Sequence, residues 1–259
     1  MTQDVWNPAQ YERFRDERSQ PFFDVLSFVR PRAGMRVVDL GCGTGELTRA
    51  LHHRLSARET LGIDSSEAML EKSRSHAVEG LRFERRDILA FIDDPQGPWD
   101  LIFSNAALHW VPLHEHVLGR LTLGLAPGGQ LAVQVPANHD HPSQVTAGEV
   151  AGEEPFRTAL GAYLRRSPVL PPEEYAVVLD ELGYREQHVR LEVYGHRLAS
   201  RDEVVEWMKG TLLTDYERRL APDLFASFVE RYRERLLPRL PDTHPHFFPF
   251  KRILLWAKR

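Results

Sequence analysis

The chain has 259 residues, enough for one large domain or two small ones, and its 42% hydrophobic and 27% charged content is that of an ordinary globular protein. A formal net charge of -4 gives no broad attraction to nucleic acid or to an anionic membrane. The one cysteine, Cys42, leaves no internal disulfide and fits a reducing compartment; with no apolar run long enough to span a bilayer, a cytoplasmic location is expected.

Helical signals come first. Asn7 as cap, Pro8 in the first turn and Gln10 three residues beyond Asn7 predict one helix, and a second over 22–29 runs until Pro31. Residues 1–33 thus form an N-terminal helical segment. From 34 to 136 short apolar runs (36–41, 60–64, 81–87, 100–105 and 130–136) alternate with helix-like stretches at 47–55, 67–77 and 113–123, the last with Leu113, Val117 and Leu121 four apart. That rhythm predicts βαβ units and a mainly parallel sheet covered on both faces, an α/β fold.

Residues 137–183 break the rhythm and read as a connection with a helix or two. Strand patterning returns at 188–198 and 252–259, within a last segment 184–259. Between those strands, about 199–245 reads as helical: Ser200 with Glu203 makes a capping box, and Phe225, Phe228, Val229, Tyr232 and Leu236 recur at helical spacing. A crossover between strands needs only about a dozen residues, so the excess predicts a helical cap over the ligand edge of the sheet.

The stretch "VVDLGCGTGELT" (37–48) carries the main chemical signal. In an open parallel sheet, ligands bind beyond the carboxyl ends of the strands, and this glycine turn lies there. A dinucleotide loop runs G-x-G-x-x-G, whereas this one runs G-x-G-x-G with Glu46 at the place of the third glycine. Asp39 just before the glycines suits a pyrophosphate poorly and suits a ligand bearing a cation, such as the ammonium of a methionyl group. Asp64, closing the second strand, is placed to accept from both ribose hydroxyls. Asp87 closes the third strand, where an acid can meet an adenine amino group, and Ser104-Asn105-Ala106 ends the fourth and lines the crevice. Cys42 fits this loop as a small side chain, since nothing near it in sequence would activate a thiol.

Asp39-x-Gly41-x-Gly43-x-Gly45, Asp64, Asp87 and the turn "LAPGGQL" (125–131) resemble the class I S-adenosylmethionine-dependent methyltransferases. The resemblance implies a Rossmann-like, mostly parallel seven-stranded sheet, S-adenosylmethionine as cofactor and S-adenosylhomocysteine as product. It also implies cofactor contacts from Asp39, Gly41, Cys42, Gly43, Gly45, Asp64, Ser65, Asp87, Ile88, Asn105 and Ala106. "WNPAQYERFRDERSQP" (6–21), "FSNAALHWVPLH" (103–114), "LAVQVP" (131–136), "YGH" (194–196) and "VEWMKGT" (205–211) extend it over nearly the whole chain and are similar to the bacterial trans-aconitate 2-methyltransferase family.

That family implies N-terminal helices closed over the cofactor, with Tyr11, Phe14 and Arg18 near it; packing of Tyr11 and Phe14 onto the core is an equal alternative. It further implies methylation of a small carboxylic acid to a methyl ester, by a monomer or homodimer without a nucleic-acid or membrane partner. A carboxylate is already ionised at neutral pH, so aromatic walls and a few cations suffice. Trp110, Trp207, Tyr194 and Tyr216 are candidates for the walls, and His109, His196, Lys209, Arg18 and Arg252 for the cations. His109 and Trp110 follow the fourth strand directly and so belong near the transferred methyl; His196, matching the family's Tyr-x-His, is a third catalytic candidate, with a bond to backbone or a bridge to the cap as an equal alternative. Trp207, Tyr194 and Arg252 are the substrate-binding candidates, although Trp207 fits a core position as well.

The pattern departs from the family at Leu212-Leu213-Thr214-Asp215, where Gly-Leu-Arg-Pro is expected; with an arginine lost, an acid with fewer carboxylates fits as well as trans-aconitate. The pairs His114/His116, His139/His141 and His244/His246 lack the third ligand of a metal site, so no metal is expected. Two further readings are a carbon or phenolic-oxygen methyltransferase with His109 as base, and a cofactor-binding protein without turnover.

Overall fold

The computed structural model describes residues 15–161 and 163–259, with side chains from 19 onward. Tyr11, Phe14 and the helix expected from Asn7 lie outside the described residues, as does the side chain of Arg18.

A sheet of strands β1 (Arg36–Leu40), β2 (Glu59–Asp64), β3 (Leu81–Arg85), β4 (Trp99–Asn105), β5 (Leu125–Pro136), β6 (Glu186–Leu198) and β7 (His246–Lys258) has the order β3-β2-β1-β4-β5-β7-β6. The pairs β2–β3, β1–β2, β1–β4 and β4–β5 are parallel, and β7 runs antiparallel to β5. The first strands read as unbroken apolar runs because helices cover both their faces. Those helices are α1 (Arg15–Leu26), α2 (Glu46–Leu55), α3 (Glu67–Ser73), α4 (Ile88–Asp93) and α5 (His114–Leu123). Val38, Leu40, Leu61, Ile63, Ile102 and Val133 form the centre of the core.

The strand order reverses direction at β1, so the carboxyl ends of β1 and β4 diverge there and open the crevice in which this architecture binds ligands. Two expected elements end early. The helix expected over 67–77 stops at Ser73 and tightens into a 3-10 turn over Arg74–His76; the hydroxyls of Ser73 and Ser75 donate to the carbonyls of Leu70 and Lys72, competing with the helical ladder. Strand β3 ends at Arg85 because Asp87 leaves the sheet to cap α4, its Oδ1 accepting the Leu89 N–H at 2.8 Å.

The remaining helices are α6 (Pro142–Ala151), α7 (Phe156–Ala159), α8 (Pro172–Glu181), α9 (Asp202–Lys209), α10 (Thr214–Glu217) and α11 (Pro222–Leu236). The chain divides into two compact units: a sheet unit of 15–137, 168–192 and 251–259, and a second unit whose described parts are 138–161, 163–167 and 193–250. The second has its own apolar core, built from Val150, Phe156, Trp207, Tyr216, Phe228, Tyr232, Leu236 and Phe248. The helical spacing of Phe228, Tyr232 and Leu236 is the buried stripe of α11, and the Tyr232 hydroxyl donates to the Ser143 carbonyl at 2.8 Å.

Candidate cofactor and active site

The loop from β1 to α2 is shaped by its glycines. Gly41 has φ 76°, and a Cβ there would lie 2.3 Å from the Ala107 Cβ, so only glycine lets the β1 loop pass the segment that leaves β4. Gly43 has φ 54° with no atom near a virtual Cβ, so its requirement is conformational and the space above it is open. The N–H groups of Gly41 and Cys42 both donate to the Ile63 carbonyl at 2.9 Å, fixing the loop to the end of β2.

Acids surround this loop. Asp39 is 3% exposed, and its Oδ2 accepts the Thr48 hydroxyl at 2.6 Å. Burial pushes its pKa up to about 7 against the lowering effect of that bond, and the charge of Asp64 adds to the rise. Asp64 Oδ2 accepts the Gly43 N–H and its Oδ1 the Ser66 N–H, each at 2.9 Å. Burial, then the charges of Asp39 and Asp64, hold the Cys42 thiol well above the ordinary range, which makes it a packing residue in chemistry as well as in size.

Ser65 is exposed beyond β2, Asp87 is exposed at the cap of α4, and Ile88 is the partly buried first residue of that helix. At the end of β4 the Ala106 N–H donates to the Gln134 carbonyl, and the Asn105 Oδ1 is buried with no hydrogen-bond partner. The sheet register therefore gathers Asp39, Gly41, Cys42, Gly43, Gly45, Asp64, Ser65, Asp87, Ile88, Asn105 and Ala106 at the carboxyl ends of β1 to β4. His109 and Trp110 follow in a 3-10 turn with ring centroids 4.8 Å apart. Arg252, 4% exposed on β7, pairs in register with Pro136 at the carboxyl end of β5, with Nη1 3.5 Å from Gln134 Oε1.

A buried acid, a half-buried one, an unsatisfied amide oxygen and open space over Gly43 make a site of acceptors, matched to a ligand rich in donors and carrying positive charge. S-adenosylmethionine, with its ammonium, sulfonium, ribose hydroxyls and adenine amine, fits that donor set; a pyrophosphate does not.

His196, Trp207 and Tyr194 belong to the second unit. His196 lies against Trp207 with centroids 4.9 Å apart, and Trp207 is 1% exposed between Phe248 and Phe250. Tyr216 is equally buried and stacks on Phe228, while Lys209 pairs with Glu206 at 3.3 Å. Tyr194 is partly exposed on β6.

The second unit also holds a cluster that the sequence reading missed. Asp215, 8% exposed, accepts the Tyr163 hydroxyl at 2.6 Å and lies 3.6 Å from Arg165 and 3.3 Å from Arg219, whose guanidinium sits 3.9 Å over the Tyr163 ring. Two arginines meet one acid. No arginine stands at 214, but two guanidinium groups gather at the adjacent Asp215: Arg165 from much earlier in the chain, and Arg219 from four residues on, at a spacing the sequence does show.

The histidine pairs have separate partners: His114 binds Tyr175 and Leu108, His141 Nδ1 caps α6 by accepting the Ser143 N–H, and His246 binds the Pro241 carbonyl. Among the described residues no three His, Cys, Asp or Glu side chains gather as a metal site, and no helix is long and apolar enough to cross a membrane.

Comparison with known proteins agrees with this geometry. The family model described as a methyltransferase domain matches residues 31–164. The trans-aconitate 2-methyltransferase of Deinococcus radiodurans is 43% identical, with 98% of both chains covered. That of Variovorax paradoxus is 40% identical over 98% of this chain and 95% of its own. Among solved structures, the YcgJ protein of Bacillus subtilis superposes with a TM-score of 0.61 at 16% identity, covering 93% of this chain and 98% of that one, a likeness of fold. A phosphoethanolamine methyltransferase of Haemonchus contortus in complex with S-adenosylhomocysteine gives 0.55 at 15% identity, over 93% of this chain and 53% of its own. The chain belongs to the trans-aconitate 2-methyltransferase family of S-adenosylmethionine-dependent methyltransferases.

Proposed function

We propose that this enzyme methylates a carboxylate oxygen of trans-aconitate or a closely related small organic acid, giving a methyl ester. The observation that carries the reading is the full-length similarity, 43% and 40% identical, to proteins named for that reaction. S-adenosylmethionine supplies an electrophilic methyl group on a sulfonium. Asp39 receives its ammonium, Asp64 its ribose, and Asp87, Ile88 and the Asn105 oxygen its adenine and linker. As the family resemblance implies, Tyr11 and Arg18 would add further cofactor contacts.

The acceptor carboxylate is ionised at neutral pH, so no residue has to remove a proton. What remains for the chain is alignment and exclusion of water, because the charges of carboxylate and sulfonium cancel as they react and a less polar site raises the ground state more than the transition state. His109 and Trp110, fixed just beyond β4, orient the reacting carboxylate, with His196 as a further candidate. Arg252, buried on β7, is the substrate-binding cation, suited to the fork geometry of a carboxylate. Trp207 and Tyr194 are the remaining substrate candidates, Trp207 through its support of His196. The enzyme acts as a monomer or homodimer in the cytoplasm, without a nucleic-acid partner.

The test is incubation with methyl-labelled S-adenosylmethionine and separate samples of trans-aconitate, cis-aconitate and simpler mono- and dicarboxylic acids, scoring alkali-labile volatile label. Strong label with trans-aconitate is expected. Label that resists alkali would overturn ester formation, and label only with a simpler acid would overturn the substrate.

A further inference from the structure

The segment that presents His109 and Trp110 is bracketed by two non-glycine residues in the left-handed region, Ala106 at φ 54° and Leu113 at φ 59°. Each costs roughly 1 kcal/mol or more in this conformation, so interactions elsewhere must impose it. Leu113 is 69% exposed and supplies little of that packing.

His114, the next residue, is 3% exposed and hydrogen-bonded through both ring nitrogens. Its Nε2 lies 3.0 Å from the Leu108 carbonyl oxygen, one residue before His109, and its Nδ1 meets the Tyr175 hydroxyl of α8. A carbonyl only accepts, so Nε2 carries the proton; Nδ1 then accepts, and Tyr175 donates. The Tyr175 oxygen in turn accepts the Leu170 N–H at 3.4 Å. A directed chain of hydrogen bonds thus runs from the Leu170 amide through Tyr175 and His114 to the Leu108 carbonyl, within the sheet unit. Burial depresses the pKa of His114, against the raising effects of the Leu108 and Val111 carbonyls and of Glu115, and keeps the Tyr175 phenol protonated, so both groups hold the states that the chain requires.

We propose that His114 and Tyr175 are positioning residues for the transfer step: they fix the 3-10 turn that presents His109 and Trp110, and touch neither substrate nor cofactor themselves. This rests on the reading that His109 and Trp110 meet the reacting carboxylate. Aromatic side chains of similar size at either position would preserve packing while removing the hydrogen bonds. Hydrogen bonding and bulk are therefore separable.

The variants to compare are Tyr175→Phe, His114→Phe and His114→Gln, whose amide can still donate to Leu108. Three quantities are read: cofactor Kd, kcat per cofactor-binding site, and amide hydrogen exchange across 106–112. In both phenylalanine variants, exchange across 106–112 is expected to rise while Kd stays within about two-fold and kcat per site falls about ten-fold or more, with His114→Gln recovering part of both losses. A residue that served stability alone would lower the number of cofactor-binding sites and leave kcat per site unchanged, which would overturn the proposal. Unaltered exchange in both phenylalanine variants would overturn it too, and this arm needs no turnover. Failure of the wild type to methylate any acid, by contrast, defeats the substrate reading and leaves exchange to decide the clamp.

Discussion

Asp64 accepts the Gly43 N–H through one carboxylate oxygen and the Ser66 N–H through the other, both at 2.9 Å, so the acid that ends β2 also shapes the glycine loop that follows β1. Replacing it relaxes the loop and removes the proposed acceptor of the cofactor ribose together. Hydrogen bonds to a charged group contribute about 1.5–3 kcal/mol each, so Asp64→Ala should weaken S-adenosylmethionine binding by at least about 100-fold. Asp64→Asn, which keeps one acceptor oxygen, should lie between. Calorimetric titration of both variants measures this, and a Kd for the alanine variant within two-fold of wild type would reject either role.

Asp39 gives a pH dependence whose sign is set by its raised pKa. Its folded value of about 7 stands above the ordinary 3.8, so its contribution to stability is fully present below about pH 4 and is lost as the pH rises through 7. At 1.36 kcal/mol per unit the loss is about 4 kcal/mol. Asp39→Asn should remove that slope from the melting temperature of the cofactor-free protein between pH 4 and 8. If Asp39 receives the cofactor ammonium, binding by the wild type should tighten about ten-fold from pH 6 to pH 8 with release of a proton. Identical melting profiles for wild type and Asp39→Asn would exclude the raised pKa.

Glycines of the same loop should respond differently. A Cβ at Gly41 would come 2.3 Å from the Ala107 Cβ, whereas one at Gly43 meets nothing. Gly41→Ala must displace the segment before His109 and should cost about 2–4 kcal/mol of stability, about 1–3 for overpacking and about 1 more for its φ. Gly43→Ala should cost only about 1 kcal/mol, for its φ, yet lose cofactor affinity because its methyl group enters the open space. Chemical denaturation and cofactor titration together separate the two, and equal stability losses would remove the distinction.

The sheet was legible because its central parallel strands β1, β2 and β4, buried on both faces, read as apolar runs with polar residues at their carboxyl ends, and because the glycine spacing excludes a dinucleotide loop. The helical stripe Phe228, Tyr232 and Leu236 was legible for the same reason of period. Helix α4 was not, since "ILAFID" (88–93) is too short and uniformly apolar to show a helical period. In the site, acids at strand ends could be read from position alone. What could not be read is who binds whom: Thr48 on Asp39, Tyr175 on His114, and Tyr163 and Arg165 on Asp215 all join residues whose sequence separation carries no signal, whereas Arg219, four residues past Asp215, stands at a helical spacing that does.

His109 offers the most direct separation of binding from transfer. It follows β4 on the turn to which His114 is hydrogen-bonded, whereas Asp39 and Asp64, the proposed cofactor acceptors, stand on β1 and β2. His109→Ala should leave cofactor Kd within about two-fold and lower kcat by about ten-fold or more. A shift of the acid limb of kcat would indicate that its charge matters, whereas a uniform loss across pH would indicate orientation. Unchanged turnover would move the role to His196.

Asp215 is the acid that replaces an expected proline, and its surroundings predict more than a neutral exchange. Its side chain is 11% exposed and faces Arg165, itself 16% exposed, and Arg219, at 42%. Asp215→Asn keeps the shape and still accepts from Tyr163, but leaves two guanidinium groups without their shared anion. Removing one partner of a fully buried pair costs about 3–5 kcal/mol; with Arg219 partly solvated, about 2 kcal/mol is expected here, a melting shift of about 4–8 °C in a chain of this size. Tyr163→Phe should cost less, about 1 kcal/mol, because only one hydrogen bond is lost. If the arginines also receive a substrate carboxylate, trans-aconitate should restore more of the melting temperature in Asp215→Asn than it adds to the wild type, since an external anion then neutralises the charge that Asp215 had neutralised. Equal ligand shifts in the two proteins would confine Asp215 to holding the second unit together.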